Sequence, residues 1–275
     1  MNHEIQGDEM EPYYTNDKAG VTLYLGDCLD VMADIPDGSI DMVMTDPPYG
    51  TTACKWDSVI PLAPMWEQLK RIIKPNGAIV ITASQPFTTA LIASNMGMFK
   101  YCWVWRKSKP NGFQHAKNHP MMAVEDCCVF SLAPMGHVSQ LGDSRMQYNP
   151  GDVKSVGMRT IKKSKHGRIL GARPNQVGKK YKAFTGYPHN VLEFSNVCGS
   201  KAIHPTQKPV ALMAYLIKTY TNEGETVLDF TMGSGTTGVA AMRLARNFVG
   251  IELHEPYMDI AIKRMDRERK QVKLF

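Results

Sequence analysis

The sequence predicts an α/β fold built around a mostly parallel sheet. Short apolar runs of strand length alternate along the chain with stretches in which apolar residues recur at helical spacing. A glycine-rich turn joins one such run to a helical stretch near the end of the chain. With 43% hydrophobic and 21% charged residues, the composition is that of a globular protein. Strands separated by helices pack as a sheet covered by helices, which is the architecture we expect.

The N-terminal half contains five predicted strands and, between them, two predicted helices. Apolar residues recur at helical spacing over Pro64–Ile73, and the lysine, proline, asparagine and glycine that follow end this helix. The stretch Pro86–Asn95 is predicted as the second helix. The strands are the apolar runs Val21–Leu25, Ile40–Thr45, Ala78–Thr82, Tyr101–Trp105 and Val124–Phe130.

The C-terminal part alternates helix and strand more regularly. Pro209 is predicted at the first position of a helix, where its missing N–H costs nothing, and apolar residues continue at helical spacing to Tyr220. Thr226–Phe230 and Phe248–Leu253 are predicted strands, and the helix Thr236–Arg246 joins them. The residues that follow suffice for one last helix.

Composition excludes several classes of protein. No apolar run approaches the ~18 residues that span a bilayer. Five acidic residues precede the first Lys or Arg, which is unlike a secretory signal. The six cysteines include no C-x-x-C pair, which argues against a disulfide scaffold and a thiolate zinc site. We therefore expect a cytoplasmic protein with no membrane contact and no metal site.

Positive charge is concentrated in one segment. Between Met135 and Asn190, eleven Lys and Arg residues stand against two acidic residues, which gives +9 there and −3 elsewhere. The segment lacks helical or alternating periodicity, so we expect a loop-rich insertion or a small subdomain. Basic residues interspersed with aromatic ones are typical of a surface that binds a polyanion, and a solvated surface loop is the alternative.

A glycine-rich loop follows the predicted strand Thr226–Phe230. Gly233, Gly235 and Gly238 have the spacing G-x-G-x-x-G, and Glu252 ends the next strand. Such a loop brings the backbone close to a ligand at a helix N-terminus, and the acidic residue binds ribose hydroxyls. The pattern fits NAD, FAD or S-adenosylmethionine (SAM), and a plain glycine-rich turn is the alternative.

The position of this loop near the end of the chain indicates a circularly permuted domain. In a dinucleotide-binding domain this unit comes first, whereas here one helix can follow it. The other strands must come from the N-terminal half, with Ile40–Thr45 beside Thr226–Phe230 where strand order reverses. Because ligands bind at the carboxyl ends of strands at that point, Asp46 to Tyr49 are expected to face the ligand.

The string Asp46-Pro47-Pro48-Tyr49 suits chemistry at the exocyclic amine of a base. The lone pair of that amine is delocalised into the ring, so a site that activates it must accept both N–H hydrogens. The Asp46 carboxylate and the Pro47 carbonyl are two such acceptors, and the Pro47-Pro48 pair stiffens them. Tyr49 can stack on a base rotated out of a duplex. A polar strand end followed by a proline turn is the alternative.

Seven short sequence motifs are spread over most of the chain, and their order along it is informative. They are LGDC (25–28), TDPPYG (45–50), LKRIIKPNGAIVI (69–81), WVWRK (103–107), HPTQKPVALMAYLI (204–217), LDFTMGSGTTGVAA (228–241) and FVGIEL (248–253). The order resembles that of the amino-directed DNA methyltransferases of the permuted beta class. The resemblance implies a Rossmann-like SAM-dependent methyltransferase fold with a catalytic half at 16–134, a target-recognition region at 135–200 and a SAM-binding half at 201–275.

The resemblance also implies roles for individual residues. Asp46 and Pro47 would accept the amine hydrogens, Pro48 would hold them rigid, and Tyr49 would stack on the flipped base. The residues implied to bind SAM are Asp27 at its adenine end, Glu252 at the ribose, Lys208 and Thr236 at the methionine end, and Asp229, Phe230, Gly233 and Gly235 in the loop.

The implied activity is site-specific methylation of the N6 amine of adenine in double-stranded DNA after base flipping. In the family, Asp at the first position of the catalytic motif is associated with adenine-N6, and Ser is more typical of cytosine-N4, so cytosine-N4 methylation is the alternative. The family is compatible with a homodimer and a cognate restriction endonuclease, although the composition demands neither.

Other classes share part of the pattern. A NAD-dependent oxidoreductase shares the glycine loop but has no use for the residues Asp46 to Tyr49. An RNA or protein-glutamine methyltransferase shares the catalytic motif. A cytosine-C5 enzyme needs a cysteine after a proline, which this chain lacks. A non-enzymatic DNA-binding protein is disfavoured by the intact Asp46, Gly233, Gly235 and Glu252.

Overall fold

The computed structural model describes residues 10–51, 57–151, 153–162, 177–197 and 207–272. These residues fall into two compact units. Residues 150–189 form the smaller unit, and the segments before and after it form the larger one.

The strands and helices follow one another in the alternation that the sequence predicts. The strands are β1 (Tyr14–Asn16), β2 (Val21–Leu25), β3 (Ile40–Thr45), β4 (Ile73–Ala83), β5 (Phe99–Asn111), β6 (Met122–Phe130), β7 (Lys154–Thr160), β8 (Lys180–Thr185), β9 (Val191–Phe194), β10 (Thr226–Asp229) and β11 (Asn247–Glu252). The α-helices are α1 (Cys28–Asp34), α2 (Leu62–Ile72), α3 (Phe87–Ser94), α4 (Val138–Leu141), α5 (Val210–Tyr220), α6 (Thr236–Arg243) and α7 (Glu255–Val272).

The larger unit contains one mixed sheet, whose described strands lie in the order β1-β2-β11-β10-β3-β4-β6-β5-β9. The five central strands from β2 to β4 are parallel, whereas β6 is antiparallel to both of its neighbours. The predicted neighbours β3 and β10 do pair, with Val43 opposite Leu228. Strand order runs outward from β10 in one direction and from β3 in the other. The predicted reversal point is therefore confirmed.

Apolar side chains cover both faces of this sheet. Successive residues of a strand point to opposite faces, so Met42 joins the cluster under α5, α6 and α7, and Val43 joins the cluster under α1, α2 and α3. A strand covered on both faces is apolar throughout. This explains the apolar succession Met42-Val43-Met44 in β3.

Several boundaries differ from the prediction. β4 begins at Ile73, and its pairing with β3 shifts register between Ile40 and Met42 of β3. Residues 74–77, which were predicted to end the preceding helix, therefore form a bulge inside β4. Pro209 precedes α5 with extended backbone instead of opening the helix. The strands β5 and β6 extend further than predicted, to Asn111 and from Met122, because their paired hairpin continues beyond the apolar runs.

Three strands within or directly after the basic segment were not predicted. β7 and β8 form an antiparallel two-stranded sheet in the smaller unit, and β9 pairs with β5 in the larger one. Every residue of β7 is exposed, so it has no buried face to produce an alternating pattern. The short elements β1 and α1 were also missed. None of the described helices combines the length and apolarity needed to cross a bilayer.

Candidate active site

The ends of β3 and β10 bring the two predicted motifs together. Asp46 follows β3 directly, and Asp229 is the last residue of β10. A hydrogen bond of 2.8 Å from the Thr45 hydroxyl to Asp229 Oδ1 links the two strand ends. The catalytic motif and the glycine loop therefore start from adjacent points on one edge of the sheet.

A cavity of about 410 Å³ opens at this edge. Asp46 and Pro48 of the predicted catalytic residues line it, whereas Pro47 and Tyr49 are not among its lining residues. Gly235 also lies outside the lining. The predicted cofactor residues that line the cavity are Asp27, Lys208, Asp229, Phe230, Gly233, Thr236 and Glu252. The cavity volume is in the range of small-molecule and cofactor sites.

The Asp46 carboxylate is held by several donors. Lys208 Nζ lies 2.7 Å from each of its oxygens. The Tyr49 hydroxyl donates to Oδ1 at 2.6 Å, and the Thr82 hydroxyl donates to the same oxygen. Oδ1 thus has three donors, and Oδ2 has Lys208 alone among the contacts of the described residues. Since a carboxylate oxygen accepts about two hydrogen bonds, Oδ2 is the oxygen with capacity left for a substrate.

Tyr49 is already stacked in this structure. Its ring lies 5.2 Å from that of Phe87, at an interplanar angle of 21°. Burial and the neighbouring Asp46 carboxylate raise the pKa of the Tyr49 hydroxyl well above its ordinary value, so it stays a hydrogen-bond donor. The predicted stacking of Tyr49 on a base stays a prediction, and the observed role of its hydroxyl is to position Asp46.

Lys208 contacts Asp46 and a second carboxylate that the sequence did not single out. Its ammonium lies 3.2 Å from Glu125 Oε2, and its side chain is 7% exposed. Burial opposes its charge, but the attraction of Asp46 and Glu125 prevails and raises the pKa of Lys208. Lys208 is therefore a cation at neutral pH. The resemblance placed it at the methionine end of the cofactor, and in this structure its ammonium is bound to the catalytic carboxylate.

Glu252 organises the glycine loop from the end of β11. Its Oε2 accepts the Gly233 N–H at 2.8 Å, and its Oε1 accepts the His254 N–H at 2.8 Å. Burial raises the pKa of this carboxyl, and the two backbone donors oppose the shift. Glu252 thus joins the loop to the neighbouring strand end while its side chain faces the cavity.

Gly235 is required by the backbone and by packing. Its φ is +74°, in the left-handed region that favours glycine, and it stands immediately before α6. A Cβ here would lie 2.7 Å from Met265 Cε and 2.9 Å from Ala261 Cβ on α7. The glycine therefore serves close helix packing, and Thr236 begins the helix whose N-terminus faces the cavity.

Asp229 is buried beneath the loop. It accepts hydrogen bonds from the hydroxyls of Thr45 and Thr237, at 2.8 and 2.6 Å, and from the Thr231 N–H. Burial nevertheless raises its pKa to about 7, since these donors compensate only part of the lost solvation. The side chain is thus expected to exchange its proton near neutral pH.

This shift predicts a pH-dependent stability. The folded protein holds the Asp229 proton more tightly than the unfolded chain, so the contribution is complete below about pH 4 and is lost as pH rises through about 7. We expect the unfolding free energy of the wild type to fall by about 2–3 kcal/mol relative to Asp229→Asn between pH 5 and pH 7. Urea titrations of both proteins measure this difference. A difference that does not change with pH would contradict the shift.

The charge of the cavity selects among ligands. The carboxylates of Asp27, Asp46 and Glu252 face it, with the partly protonated Asp229, against the ammonium of Lys208 among its described lining residues. Asp27 also caps α1, where its Oδ1 accepts the Leu29 N–H at 2.8 Å. Net negative charge favours a cationic or hydroxyl-bearing ligand and repels a pyrophosphate. This counts against the NAD-dependent alternative.

Sequence reasoning missed several residues of the site. Strand pairing brings Thr82 of β4 to Asp46, and it places Glu125 of β6 beside Lys208. Arg264 of α7 contacts the loop, where its Nη1 lies 3.0 Å from Ser234 Oγ and 3.2 Å from Thr236 Oγ1. Lys107 lies in the string 103–107, which was noted without a role. No local pattern in the sequence marks these side chains.

The two-stranded sheet of the smaller unit has a basic surface. The exposed basic residues described there are Lys154, Arg159, Lys162, Lys179, Lys180 and Lys182. Tyr181 and Phe184 on β8 are exposed as well, and Lys182 Nζ lies 5.6 Å from the centre of the Phe184 ring. Four more basic residues of the predicted region, Lys163, Lys165, Arg168 and Arg173, lie outside the described residues. Within the described parts of the chain, no group of three His, Cys, Asp or Glu side chains could hold a metal ion.

Comparison with known proteins gives a consistent result. Residues 40–263 match the model of a family described as DNA methylase, of the N6 and N4 type. The chain is 30% identical over 276 aligned residues to the type II methyltransferase M.BglII of Bacillus subtilis, and the alignment covers 90% of this chain and 69% of that protein.

Solved structures show the same fold. The M1.HpyAVI–SAM complex superposes with a TM-score of 0.57 at 25% identity, covering 89% of this chain and 99% of the other. The PvuII DNA methyltransferase, described as cytosine-N4-specific, superposes with a TM-score of 0.62 at 18% identity, covering 89% and 86%. The second likeness concerns the fold alone.

Proposed function

We propose that this chain, which belongs to the DNA methylase family of amino-directed methyltransferases, transfers a methyl group from SAM to the N6 amine of adenine in double-stranded DNA. One observation carries the proposal: Asp46 and the glycine loop face the same cavity, from the adjacent ends of β3 and β10. This arrangement places an acceptor for amine hydrogens beside a cofactor site.

The residues of the cavity fit SAM. Its sulfonium makes it a cation, which matches the net negative lining. Glu252 would bind the ribose hydroxyls, Asp27 the adenine end, and the N-terminus of α6 at Thr236 the methionine carboxylate. SAM supplies the methyl group when it is bound.

Asp46 activates the amine in the proposed mechanism. Its Oδ2 and the Pro47 carbonyl accept the two amine hydrogens, so the nitrogen lone pair is directed away from the ring and toward the methyl group. Tyr49 and Thr82 fix Oδ1, which leaves the carboxylate with one orientation. One amine proton leaves to Asp46 or to solvent. Preorganised acceptors of this kind are worth about 10²- to 10³-fold in rate.

Adenine is the proposed base because the catalytic motif begins with Asp46. Cytosine-N4 methylation, the alternative, requires the same two acceptors. The homodimer and the cognate restriction endonuclease are proposed from the resemblance, whereas the cytoplasmic location is proposed from the composition and the cysteine spacing. Incubation with tritiated SAM tests the activity: label should enter unmethylated duplex DNA, and incorporation into RNA or protein instead would overturn the proposal.

We further propose that the basic surface of the smaller unit binds the phosphate backbone of DNA. Replacing Lys179, Lys180 and Lys182 by Gln should weaken duplex binding, and the slope of log K against log salt should flatten by ~0.9 for each phosphate that these lysines neutralise in the wild type. Fluorescence anisotropy at several salt concentrations measures both. The matched control replaces the exposed Lys263, Arg267 and Lys270 of α7, which carry the same total charge. Equal slopes in the two variants would count against a backbone contact on β8.

A further inference from the structure

Four charged side chains form a line that leads away from the catalytic motif. Lys208 Nζ lies 2.7 Å from Asp46 Oδ2 and 3.2 Å from Glu125 Oε2. The other oxygen of Glu125, Oε1, lies 2.6 Å from Lys107 Nζ. The charges alternate in sign from Asp46 to Lys107.

This line is buried. The exposed fractions of the four side chains are 22% for Asp46, 7% for Lys208, 12% for Glu125 and 4% for Lys107. A buried charge is costly unless it is paired, and each member of the line has an opposite charge next to it. Glu125 lies between the ammonium groups of Lys107 and Lys208, and without its charge these two cations would face Asp46 alone.

The two carboxylates do not hold Lys208 equally. The ammonium makes two hydrogen bonds of 2.7 Å to Asp46, whereas its contact with Glu125 Oε2 is 0.5 Å longer than these, at 3.2 Å. That buried Glu125 oxygen has no hydrogen bond among the described residues that meets normal geometry. Glu125 Oε2 can therefore still accept a hydrogen bond from the Lys208 ammonium beside it.

The proposed reaction makes use of that capacity. A target amine must donate to Asp46, and in this structure Lys208 occupies both oxygens of the carboxylate. An amine that donates to Oδ2 would share this oxygen with the ammonium, and a shift of the ammonium towards Glu125 Oε2, 3.2 Å away, would leave Oδ2 to the amine. Lys107 holds Oε1, so Glu125 does not move to meet the ammonium.

We propose that Glu125 is a positioning residue, which receives the Lys208 ammonium when the target amine binds Asp46. The inference rests on the proposed function. It assigns Lys208 two alternative partners, and it makes access to Asp46 depend on a residue that does not touch the substrate.

The test compares Glu125→Gln with Glu193→Gln. The second variant is a control, which alters an exposed ion pair between Glu193 on β9 and Arg106 on β5. In Glu125→Gln the ammonium stays on Asp46, so kcat for DNA methylation should fall about 10- to 100-fold. SAM affinity should stay unchanged. Glu125→Asp, which keeps the charge, should recover part of the rate, and Glu193→Gln should behave as the wild type.

Two further measurements separate positioning from a merely structural role. In a Lys208→Met background, adding Glu125→Gln should change kcat less than about twofold, because Glu125 acts through Lys208. The Lys208 Nζ resonance of the SAM-free protein should titrate at lower pH in Glu125→Gln, since one attracting carboxylate is gone. The other titratable groups around Lys208 are Asp46, Tyr49 and Cys127, and they are the same in both proteins.

The outcomes are distinct. An active wild type whose kcat is unaffected by Glu125→Gln overturns the inference and leaves the proposed function standing. Equal losses with and without Lys208 also overturn it. A wild type that transfers no methyl group to DNA overturns the proposed function, whatever the Nζ titration gives. If Glu125→Gln does not fold, Glu125→Asp decides, by a lower kcat at unchanged SAM affinity and melting temperature.

Discussion

Replacing Asp46 by alanine is expected to lower kcat for methyl transfer by about 10²- to 10³-fold. The variant loses the acceptor oxygen Oδ2 that faces the cavity, and the amine keeps the Pro47 carbonyl alone. SAM affinity should change little, because Glu252, Asp27 and the start of α6 do not depend on Asp46. Single-turnover methylation of duplex DNA measures kcat, and calorimetry measures SAM binding.

Two further variants make the Asp46 result interpretable. Asp17→Ala removes an exposed carboxylate that precedes β2, at the opposite edge of the sheet, and should be fully active. Asp46→Asn keeps the side-chain size but replaces an acceptor by an amide N–H₂, and should be nearly as inactive as alanine. Parallel loss of SAM binding and turnover in Asp46→Ala would show that the residue is structural.

The second large effect is expected at Glu252. Glu252→Ala removes the acceptor of the Gly233 and His254 N–H groups, together with the proposed ribose contact. Hydrogen bonds to a charged group are worth about 1.5–3 kcal/mol each, so we expect the Kd for SAM to rise by about 10²-fold or more. DNA affinity, which we assign to the smaller unit, should be retained.

Glu67→Ala is the control for this variant, since Glu67 is exposed on α2 and lies outside the cavity lining. Calorimetric titration with SAM gives the Kd of all three proteins. A Kd for Glu252→Ala within threefold of the wild type would show that the carboxylate neither shapes the loop nor binds the cofactor.

The central fold was predictable because burial marks it. β3 is covered on both faces, so Met42, Val43 and Met44 are apolar in succession. The glycine loop follows the apolar strand β10, which pairs with β3, so its location at the sheet's edge was also predictable. β7 illustrates the opposite case. All of its residues are exposed, and its pairing with β8 leaves no periodic signal. β9 was missed because four residues are too few for periodicity to appear.

The candidate site was predictable only where its residues are adjacent in the chain. Asp46 follows a strand and Gly233 precedes a helix, and both are visible as local patterns. Glu125 reaches Lys208 through the pairing of β6 with β4 and β5, which the sequence does not encode in any short string. The contact between Lys208 and Asp46 joins residues 162 positions apart. Such contacts follow from tertiary structure alone.

The proposed activity is methylation of the N6 amine of adenine in double-stranded DNA. The most direct test incubates the protein with SAM and unmethylated mixed-sequence duplex DNA, digests the DNA to nucleosides and identifies them by mass spectrometry. We expect N6-methyladenine, formed by the wild type and absent with Asp46→Ala. N4-methylcytosine without N6-methyladenine, or unmodified DNA from a protein that binds SAM, would contradict the proposal.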